Sequence, residues 1–357
     1  MSLHKPPTVS KKQVNRAGDT LKSTEPGHKQ YDEALEIANQ WRLAHVYPIN
    51  TFQARLRKMV RKFPGSLVAQ RLKRMPTIID KLDRHPNMKL STMQDIGGIR
   101  AVLPNVKDVY KLVKQYESSK RFTHVLKDKK DYITSPKSDG YRGVHLIYRY
   151  NNTLARNSIA TLYEGLMVEV QIRTKEQHIW ATAVETMGTI LDQPFKTRGG
   201  VKEWNEFFAL MSSAIAIVEE TSVLEEHKDL RPFQIYQQIA TMAQKIRALD
   251  LVSGYSYAAN IIEEKYSTGF YNLIVLDTKG KTVSITSYAK NDYEKAVADY
   301  SRREQSSGEH EDVVLVSAGR LKSLKQAYPN YFLDMRGFLE RVAVIIAEVQ
   351  EVNTKGK

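Results

Sequence analysis

The spacing of apolar and polar residues changes several times along the chain, and each change predicts a different kind of structure. In the first fifty residues a polar leader is followed by apolar positions at near-helical spacing, which predict a helix that ends before Pro48. The strongly basic stretch over 50–84 is also expected to be helical, with a break at Pro64-Gly65. From about residue 95 the apolar residues form short runs that are typical of strands.

Three of these runs predict strands of one sheet, with a helical stretch over 106–119 between the first two. The runs cover 99–103, 143–150 and 166–173. Side chains of the third run alternate between two faces of the sheet. One face carries Val168, Val170 and Ile172, and the other carries Glu169, Gln171 and Arg173. The sequence therefore predicts an α/β or α+β fold whose sheet has an apolar core face and a polar face.

A second β-containing unit is predicted after Gly254, beyond a mostly helical stretch over 175–250. Two runs separated by Asp277-Thr-Lys-Gly280 predict a hairpin, and a helix and a third strand follow it. These elements are expected over 271–276, 282–288, 291–304 and 313–316, with a further helical stretch over 320–350. The predicted segments are an N-terminal helical leader over 1–49, a sheet domain over 50–195, a helical extension over 196–254 and a C-terminal domain over 255–357.

Charge and composition narrow the choice of function. The 357 residues contain 54 Lys and Arg against 40 Asp and Glu, a formal net charge of +14, so the surface should attract phosphate-rich partners. No cysteine is present, which excludes disulfides, thiol nucleophiles and cysteine-ligated zinc. Since there is no signal-peptide pattern and no apolar stretch long enough to span a bilayer, we expect a cytoplasmic protein with no membrane partner.

Two carboxylates and a group of cations are the candidates for chemistry. Asp95 stands before Gly97-Gly98, where small residues let a ligand approach the sheet, and it could hold a hard cation together with Glu169. Cations around both would neutralise phosphate charge, so the combination predicts metal-assisted phosphoryl transfer. Taken singly, the pieces also fit a solvated strand, an Asp in a glycine turn, a basic loop or a basic surface helix.

Four motifs, in this order, are similar to those of the synthetase domain of the RelA/SpoT alarmone synthetases. They are Arg71-x-Lys73 with Thr77-Ile78-x-x-Lys81; Asp95-Ile-Gly-Gly-Ile-Arg100; Lys130-Asp-Tyr-Ile with Pro-Lys137-x-x-Gly-Tyr-Arg142-x-x-His145; and Glu169-Val-Gln-Ile-Arg-Thr174 with His178-x-Trp180-Ala and Glu185. The resemblance covers roughly 50–195 and implies an α+β fold with a nucleotidyltransferase-like mixed β-sheet flanked by helices. It also implies a pyrophosphokinase, which transfers pyrophosphate from ATP to a ribose hydroxyl and releases AMP.

The resemblance implies a role for each matching residue. Asp95 and Glu169 would hold Mg²⁺ (or Mn²⁺), and Glu169 would also activate the attacking hydroxyl. Arg71 would stack on the adenine of the co-substrate ATP, and Tyr141 on the base of the acceptor. The cations around the ATP phosphates would be Lys73, Lys81, Lys130, Lys137 and Arg142. The acceptor side would be completed by His145, Gln171 and Arg173.

Two departures from the family pattern bear on the reaction. The Arg-x-Lys-Asp signature of many alarmone synthetases stands here as Asp128-Lys-Lys-Asp131, so an aspartate takes the position of the arginine. The sequence contains no His-Asp dipeptide, so the hydrolase activity of the longer family members is not expected.

The two ends of the chain are similar to the fused toxin–antitoxin (CapRel) branch of this family. The similar stretches are Pro6-Pro7 with 10–18, Trp41 to Pro48, and the unit after 255 that ends in Tyr328-Pro-Asn-Tyr331. This resemblance implies transfer to the 3′-hydroxyl of the tRNA CCA end, which inhibits translation. It also implies a C-terminal β/α domain like a zinc finger without zinc, in which Tyr328 and Tyr331 occlude the ATP site until a phage protein binds.

Two other functions remain open. A small alarmone synthetase acting on GDP or GTP explains the four motifs equally well. It does not explain the excess of basic residues or the presence of the C-terminal unit. A non-catalytic regulator that binds a partner protein is the third hypothesis, although such a protein would not need both Asp95 and Glu169 beside a cationic pocket.

Overall fold

The computed structural model describes residues 6–119, 122–151, 159–190, 202–246, 248–249, 260–262, 269–277, 279–280, 282–289, 291–308, 311–316 and 335–355. The α-helices in these ranges are α1 (Lys11–Ser23), α2 (Lys29–Ala44), α3 (Val46–Val60), α4 (Met75–Arg84), α5 (Val106–Glu117), α6 (Lys175–Ile190), α7 (Lys202–Val218), α8 (Pro232–Lys245), α9 (Tyr293–Ser306) and α10 (Arg336–Lys355). The strands are β1 (Leu67–Leu72), β2 (Gly97–Leu103), β3 (Val125–Asp131), β4 (Val144–Arg149), β5 (Met167–Thr174), β6 (Asn260–Ile262), β7 (Tyr271–Asp277), β8 (Thr282–Tyr288) and β9 (Glu311–Val316).

The first sheet has five strands in the order β1-β2-β5-β4-β3. The central strand β5 runs parallel to β2 and antiparallel to β4, so the mixed α+β sheet predicted from the sequence is confirmed. Val168, Val170 and Ile172 are all fully buried on one face, as their alternation predicts. Helices α1 to α5 cover this core face, with Trp41 and Phe52 packed in the same apolar cluster.

The basic stretch over 50–84 is not helical throughout, in contrast to the expectation from its sequence. Helix α3 ends at Val60 and α4 begins at Met75, and between them β1 forms the edge of the sheet beside β2. The pairing with β2 determines this local structure, because tertiary contacts override weak helix propensity. Similarly, the motif that begins at Lys130 starts inside strand β3, and the polar leader contains α1, which Ser10 and Gln13 cap reciprocally.

A second apolar core lies among the helices that follow the first sheet. Trp180 of α6, Phe207 of α7, Ile239 of α8 and Phe338 of α10 belong to one buried cluster. The last described helix therefore packs on α6 to α8, and Arg341 of α10 donates to a Glu176 carboxylate oxygen of α6 at 2.7 Å. None of the helices in the described ranges combines the length and the apolar character that crossing a bilayer requires.

The second sheet has the strand order β6-β8-β7-β9. Strands β7 and β8 form the predicted hairpin, and β9 adds to β7 in antiparallel fashion. Helix α9 packs on this sheet through Tyr293 and Tyr300, and their cluster extends to Val46 beside the first sheet. Tyr328 and Tyr331, which are predicted to occlude the ATP site, lie outside the described residues.

Candidate active site

One face of the first sheet brings together candidate residues from four strands and Arg100 from the fifth, because residues paired across neighbouring strands point to the same side. Arg71 on β1 is paired with Gly98 on β2, and Gly98 is paired with Glu169 on β5. A second row crosses the same face through Lys130 (β3), His145 (β4), Gln171 (β5) and Arg100 (β2). The polar face predicted from the alternation in β5 is thus continuous over the whole sheet.

Asp95 lies in the turn before β2 and forms ion pairs with two lysines. Its Oδ2 lies 2.7 Å from Nζ of Lys73, and its Oδ1 lies 2.8 Å from Nζ of Lys81. Burial alone would raise the pKa of the Asp95 carboxyl, but the charges and hydrogen bonds of the two lysines outweigh burial and hold the pKa well below its ordinary value. The Lys73–Asp95–Lys81 cluster therefore presents two fixed ammonium groups around one permanently ionised carboxylate.

Local structure directs these lysines to Asp95. The backbone N–H of Lys73 donates to the carbonyl of Ile96 at 2.8 Å, which fastens the end of β1 to the turn before β2. Pro76 lies in the first turn of α4, where its missing N–H is not needed. Helix α4 then buries Ile78 against the core, and Lys81, on another side of the helix, reaches the carboxylate.

Glu169 is held by a chain of hydrogen bonds that includes a predicted acceptor-binding residue. Its Oε1 lies 2.8 Å from Nδ1 of His145, and Nε2 of that ring lies 2.7 Å from the hydroxyl of Tyr141. Gln171 Nε2 donates to the other Glu169 oxygen at 2.8 Å. Burial would raise the pKa of Glu169, but the hydrogen bond and charge of His145 lower it below its ordinary value. One imidazole thus links the candidate base to the ring expected to stack on the acceptor.

The polar face also contains buried arginine. Only 2% of Arg173 is exposed; it donates to Nδ1 of His178 at 2.7 Å, and its Nε has no hydrogen-bond partner. Burial and the nearby charge of Arg100 lower the pKa of Arg173. A buried guanidinium beside a like charge favours an anion such as phosphate. The motifs assign no role to Arg100, although its position two residues after Gly98 already puts it on this face.

The remaining predicted cations are not brought to the carboxylates. Arg142 is buried, and it donates to Oγ of Ser212 at 2.9 Å and to the carbonyl of Ser222 at 2.7 Å. These partners lie at α7 and beyond it, so Arg142 ties its loop to the helical layer. Its Nη2 is buried without a hydrogen-bond partner, and its phosphate contact stays a prediction. Lys130 is exposed and lies 3.5 Å from Asp128.

Lys137 lies over two aromatic rings of the same loop. Its Nζ is 4.8 Å from the ring centroid of Tyr132 and 5.2 Å from that of Tyr141, which are cation–π distances. Gly140 makes this loop possible, because its φ is +92° and a Cβ there would lie 2.8 Å from the Trp180 ring. Lys137 therefore lies beside the predicted acceptor tyrosine, in a loop that requires a glycine.

The two carboxylates fit the donor set of a Mg²⁺ ion. Asp95 lies two residues before β2, and Gly98 of β2 is paired with Glu169 of β5, so the two carboxylates belong to neighbouring strands. Mg²⁺ usually takes one or two protein carboxylates and completes its shell with water and substrate phosphates. Within the described ranges, no group of three or more acidic or histidine side chains could hold a metal by itself. Asp95 and Glu169 would therefore share the ion with phosphate oxygens of ATP.

Comparison with known proteins places this face in a family region. Residues 70–187 match the family model described as "Region found in RelA / SpoT proteins". We call residues 70–187 the RelA/SpoT region, after the family whose model they match. It includes the predicted site residues from Arg71 to Arg173, so the resemblance predicted from the four motifs is confirmed for this part of the chain.

Two GTP pyrophosphokinases of Bacillus subtilis (strain 168) are similar to part of this chain. YjbM is 31% identical over 142 residues, which are 39% of this chain and 61% of YjbM. YwaC is 33% identical over 121 residues, which are 31% of this chain and 52% of YwaC. The chain therefore spans less than two thirds of either relative. The crystal structure of small alarmone synthetase 1 from Bacillus subtilis bound to its product pppGpp aligns with a TM-score of 0.42 and 24% identity, covering 54% of this chain and 94% of that chain.

Proposed function

We propose that this chain is a pyrophosphokinase that transfers pyrophosphate from ATP to a hydroxyl acceptor and releases AMP. The Lys73–Asp95–Lys81 cluster beside Glu169, on one face of a RelA/SpoT region, is the observation that carries this proposal. The names of YjbM and YwaC, both GTP pyrophosphokinases, support the same reaction class.

The arrangement suits an attack on the β-phosphorus of ATP. The acceptor hydroxyl oxygen forms the new bond to the β-phosphorus, the bond to the bridging oxygen of the α-phosphate breaks, and AMP leaves with that oxygen. Glu169 takes the hydroxyl proton, and its lowered pKa keeps it ionised before the reaction. Lys73 and Lys81 neutralise phosphate charge from fixed positions. Mg²⁺ bound by Asp95 and Glu169 would add positive charge at the β- and γ-phosphates.

The acceptor we propose is the 3′-hydroxyl of the tRNA CCA end, so that the product cannot support translation. The net charge of +14 favours an RNA partner. Exposed lysines follow the edge strand β3, which borders the polar face: Lys127, Lys129 and Lys130. Asp128, in the position where many alarmone synthetases have arginine, makes a guanine nucleotide a less suitable acceptor.

The cationic residues of the basic stretch over 50–84 are divided by the fold. Four of its ten Lys and Arg residues are exposed: Lys58, Arg61, Lys62 and Arg71. Arg71 points to the polar face, whereas Lys58 belongs to α3, which covers the core face. On β3, Lys130 is paired with His145 of the polar face, whereas Lys129 is paired with Leu146 of the core face, so Lys130 is the better candidate for an RNA contact.

Salt dependence of binding tests the RNA surface. In a Lys130→Ala variant, we expect the slope of log affinity for tRNA against log salt to fall by about 0.7, because one phosphate contact is lost. The affinity for ATP should change less, because Nζ of Lys130 lies beside Asp128 and not in the Lys73–Asp95–Lys81 cluster. The matched control is Lys58→Ala, and an equal change of slope in that control contradicts the assignment to β3.

A guanine nucleotide acceptor is the second candidate, because both relatives are named GTP pyrophosphokinases. The two acceptors are separated by incubating the chain with ATP labelled on the terminal phosphate, Mg²⁺, and either tRNA or GDP plus GTP. Label on tRNA supports the first proposal, and label on a guanine nucleotide overturns it in favour of an alarmone synthetase. No transfer to either, with or without Mn²⁺, contradicts the pyrophosphokinase and leaves a non-catalytic regulator that binds a partner protein.

We further propose that the C-terminal domain, which resembles a zinc finger without zinc, restrains the enzyme until a phage protein binds it. The resemblance of Tyr328-Pro-Asn-Tyr331 and of both chain ends to the toxin–antitoxin branch supports this regulation. A Tyr331→Ala variant should be more toxic to its host at equal expression, and adding Glu169→Gln should remove that toxicity. Unchanged growth with an active Tyr331→Ala protein contradicts the proposed restraint.

A further inference from the structure

Glu304, a buried carboxylate of α9, contacts Arg42 of α2 and the backbone of Met75 in the RelA/SpoT region. Glu304 Oε2 lies 2.7 Å from Nη2 of Arg42, and Nη1 of Arg42 donates to Oε1 at 3.0 Å. The same Oε1 accepts the backbone N–H of Met75 at 3.1 Å. The side chains of Arg42 and Glu304 are 1% and 9% exposed, so solvent screens this contact little.

These contacts enclose the turn between β1 and α4 on both sides. Arg42 donates to the carbonyl of Lys73 at 3.4 Å, while Glu304 accepts from Met75 two residues later. Arg74, at the N-terminal boundary of α4, makes no side-chain capping hydrogen bond. Glu304 therefore supplies the cap that α4 lacks locally, and a carboxylate is favourable at a helix N-terminus.

We propose that Glu304 is a positioning residue for the Lys73–Asp95–Lys81 cluster. Lys73 precedes the enclosed turn and Lys81 lies two turns into α4, so the position of this turn fixes both ammonium groups relative to Asp95. The second sheet thereby contributes to the ATP side of the site without touching the reacting atoms. This inference rests on the proposed function.

An ion pair that merely fastens the second sheet to the first would show the same distances. The two roles predict different behaviour for a variant in which apolar side chains replace the charge pair. If the ion pair only fastens the two sheets, removing both charges should restore stability, because no unpaired charge stays buried. If Glu304 positions the cluster, the weaker binding of ATP should persist, because the hydrogen bond from Met75 N–H is still lost.

The first test uses the full chain, Mg²⁺ and α,β-methylene-ATP, whose binding is measured by calorimetry. Glu304→Met keeps the approximate size of the side chain but removes the oxygen that accepts from Met75, and we expect about tenfold weaker binding of the analogue. Hydrogen exchange should accelerate at the amides of residues 75–78 and remain unchanged in α5. The matched control is Asp299→Leu on the same helix, which removes a carboxylate that accepts from the Tyr288 hydroxyl within the second unit. Wild-type affinity in Glu304→Met overturns the inference.

The second test is the Arg42→Met/Glu304→Met variant. We expect its urea midpoint to return close to that of the wild type while analogue binding stays about tenfold weaker. Recovery of both properties overturns the positioning role in favour of simple fastening.

Failure of the proposed function is distinguishable from these outcomes. A wild-type chain that binds the analogue but transfers to no acceptor contradicts the proposed function alone, and the affinities still decide the role of Glu304. A wild-type chain that does not bind the analogue contradicts both.

Discussion

The two sheets differ in what they bury. The first sheet buries ionisable groups on its polar face, among them Lys73, Glu169 and Arg173, and holds them with one another. In the described part of the second sheet the buried side chains are apolar or tyrosine apart from Asn272, which accepts from Ser287 Oγ at 2.8 Å. The first sheet thus keeps charge out of water, which seldom adds stability, whereas the second sheet is a plain hydrophobic scaffold.

This contrast indicates that the first sheet carries the candidate site and that the second sheet supports the fold. Buried, paired charges are costly for folding, and they are found where a protein must bind or transfer charge. Among the described residues of the second unit, Glu304 of α9 makes such a contact, and its partner is Arg42 of α2. Changes in the first sheet should therefore affect the reaction and its pH dependence, while changes in the strands of the second sheet, in contrast to Glu304, should affect stability.

The largest expected effect is that of Glu169→Gln. Transfer of label from ATP should fall by about 10³-fold, because the side chain keeps its size but can no longer accept the hydroxyl proton. The thermal midpoint should change little, since an amide oxygen can still accept from His145. The matched control is Glu311→Gln on β9, an acid of the second sheet whose partner is Arg303. Substantial transfer by Glu169→Gln, or equal losses of transfer in both variants, would contradict the assignment of the reaction to the first sheet.

The next effect is a pH dependence of stability that originates beside the first sheet. Burial lowers the pKa of His45 to about 4, whereas an unfolded histidine titrates near its ordinary value of 6.5. The unfolded chain therefore takes up a proton first as the pH falls, and folding loses about 3 kcal/mol between about pH 7 and pH 4 from this group. Urea unfolding at several pH values measures this loss, which should be smaller in His45→Gln. Identical pH profiles for the two proteins contradict it.

A smaller effect is expected from removing one methyl group in each core. Ile274→Val on β7 and Ile172→Val on β5 should each lower the free energy of unfolding by about 1 kcal/mol, because both side chains are fully buried. Only the β5 variant, whose neighbours Gln171 and Arg173 face the site, should also change the transfer rate. A comparable change of rate in Ile274→Val would show that the second sheet is more than a scaffold.

The smallest effect concerns charge at the rim of the first sheet. Lys129 Nζ lies 2.8 Å from a Glu117 carboxylate oxygen, but both side chains are partly exposed. Lys129→Ala should therefore change the free energy of unfolding by less than about 0.5 kcal/mol. A double-mutant cycle with Glu117→Ala measures the coupling energy of the pair. A coupling above about 1 kcal/mol would mean that exposed charges at the rim contribute to stability as strongly as the buried charges of the polar face.

Local patterns are enough to predict the centre of the first sheet. The alternation around Glu169 is a period-two signal contained within β5 itself, and the hairpin of β7 and β8 follows from two such runs with a turn between them. The four motifs then put Asp95 and Glu169 in one site, although the site roles themselves stay predictions.

The edges of the sheet cannot be predicted in the same way. β1 is short, and its identity depends on pairing with β2, which lies beyond α4 in the chain. The lysines of β3 are a common protection for an edge strand, but in sequence they are indistinguishable from a solvated loop.

Hydrogen-bond and ion-pair partners that lie far apart in the chain also cannot be predicted from the sequence. Arg142 finds Ser212, and Arg42 finds Glu304 across 262 positions, so no local pattern indicates either contact. The contacts of Arg142 with the helical layer could not be predicted for this reason, its phosphate role stays a prediction, and nothing in the sequence around Arg42 marks it as a partner of α9.

The central position of β5 has a consequence for the chain while it is being made. Strands β2 and β4 are synthesised first, yet both need β5 as their common neighbour, because it lies between them. A nascent chain that has emerged only as far as β4 contains Asp95 and both lysines but lacks Glu169. Translation must therefore deliver β5 before the polar face can form.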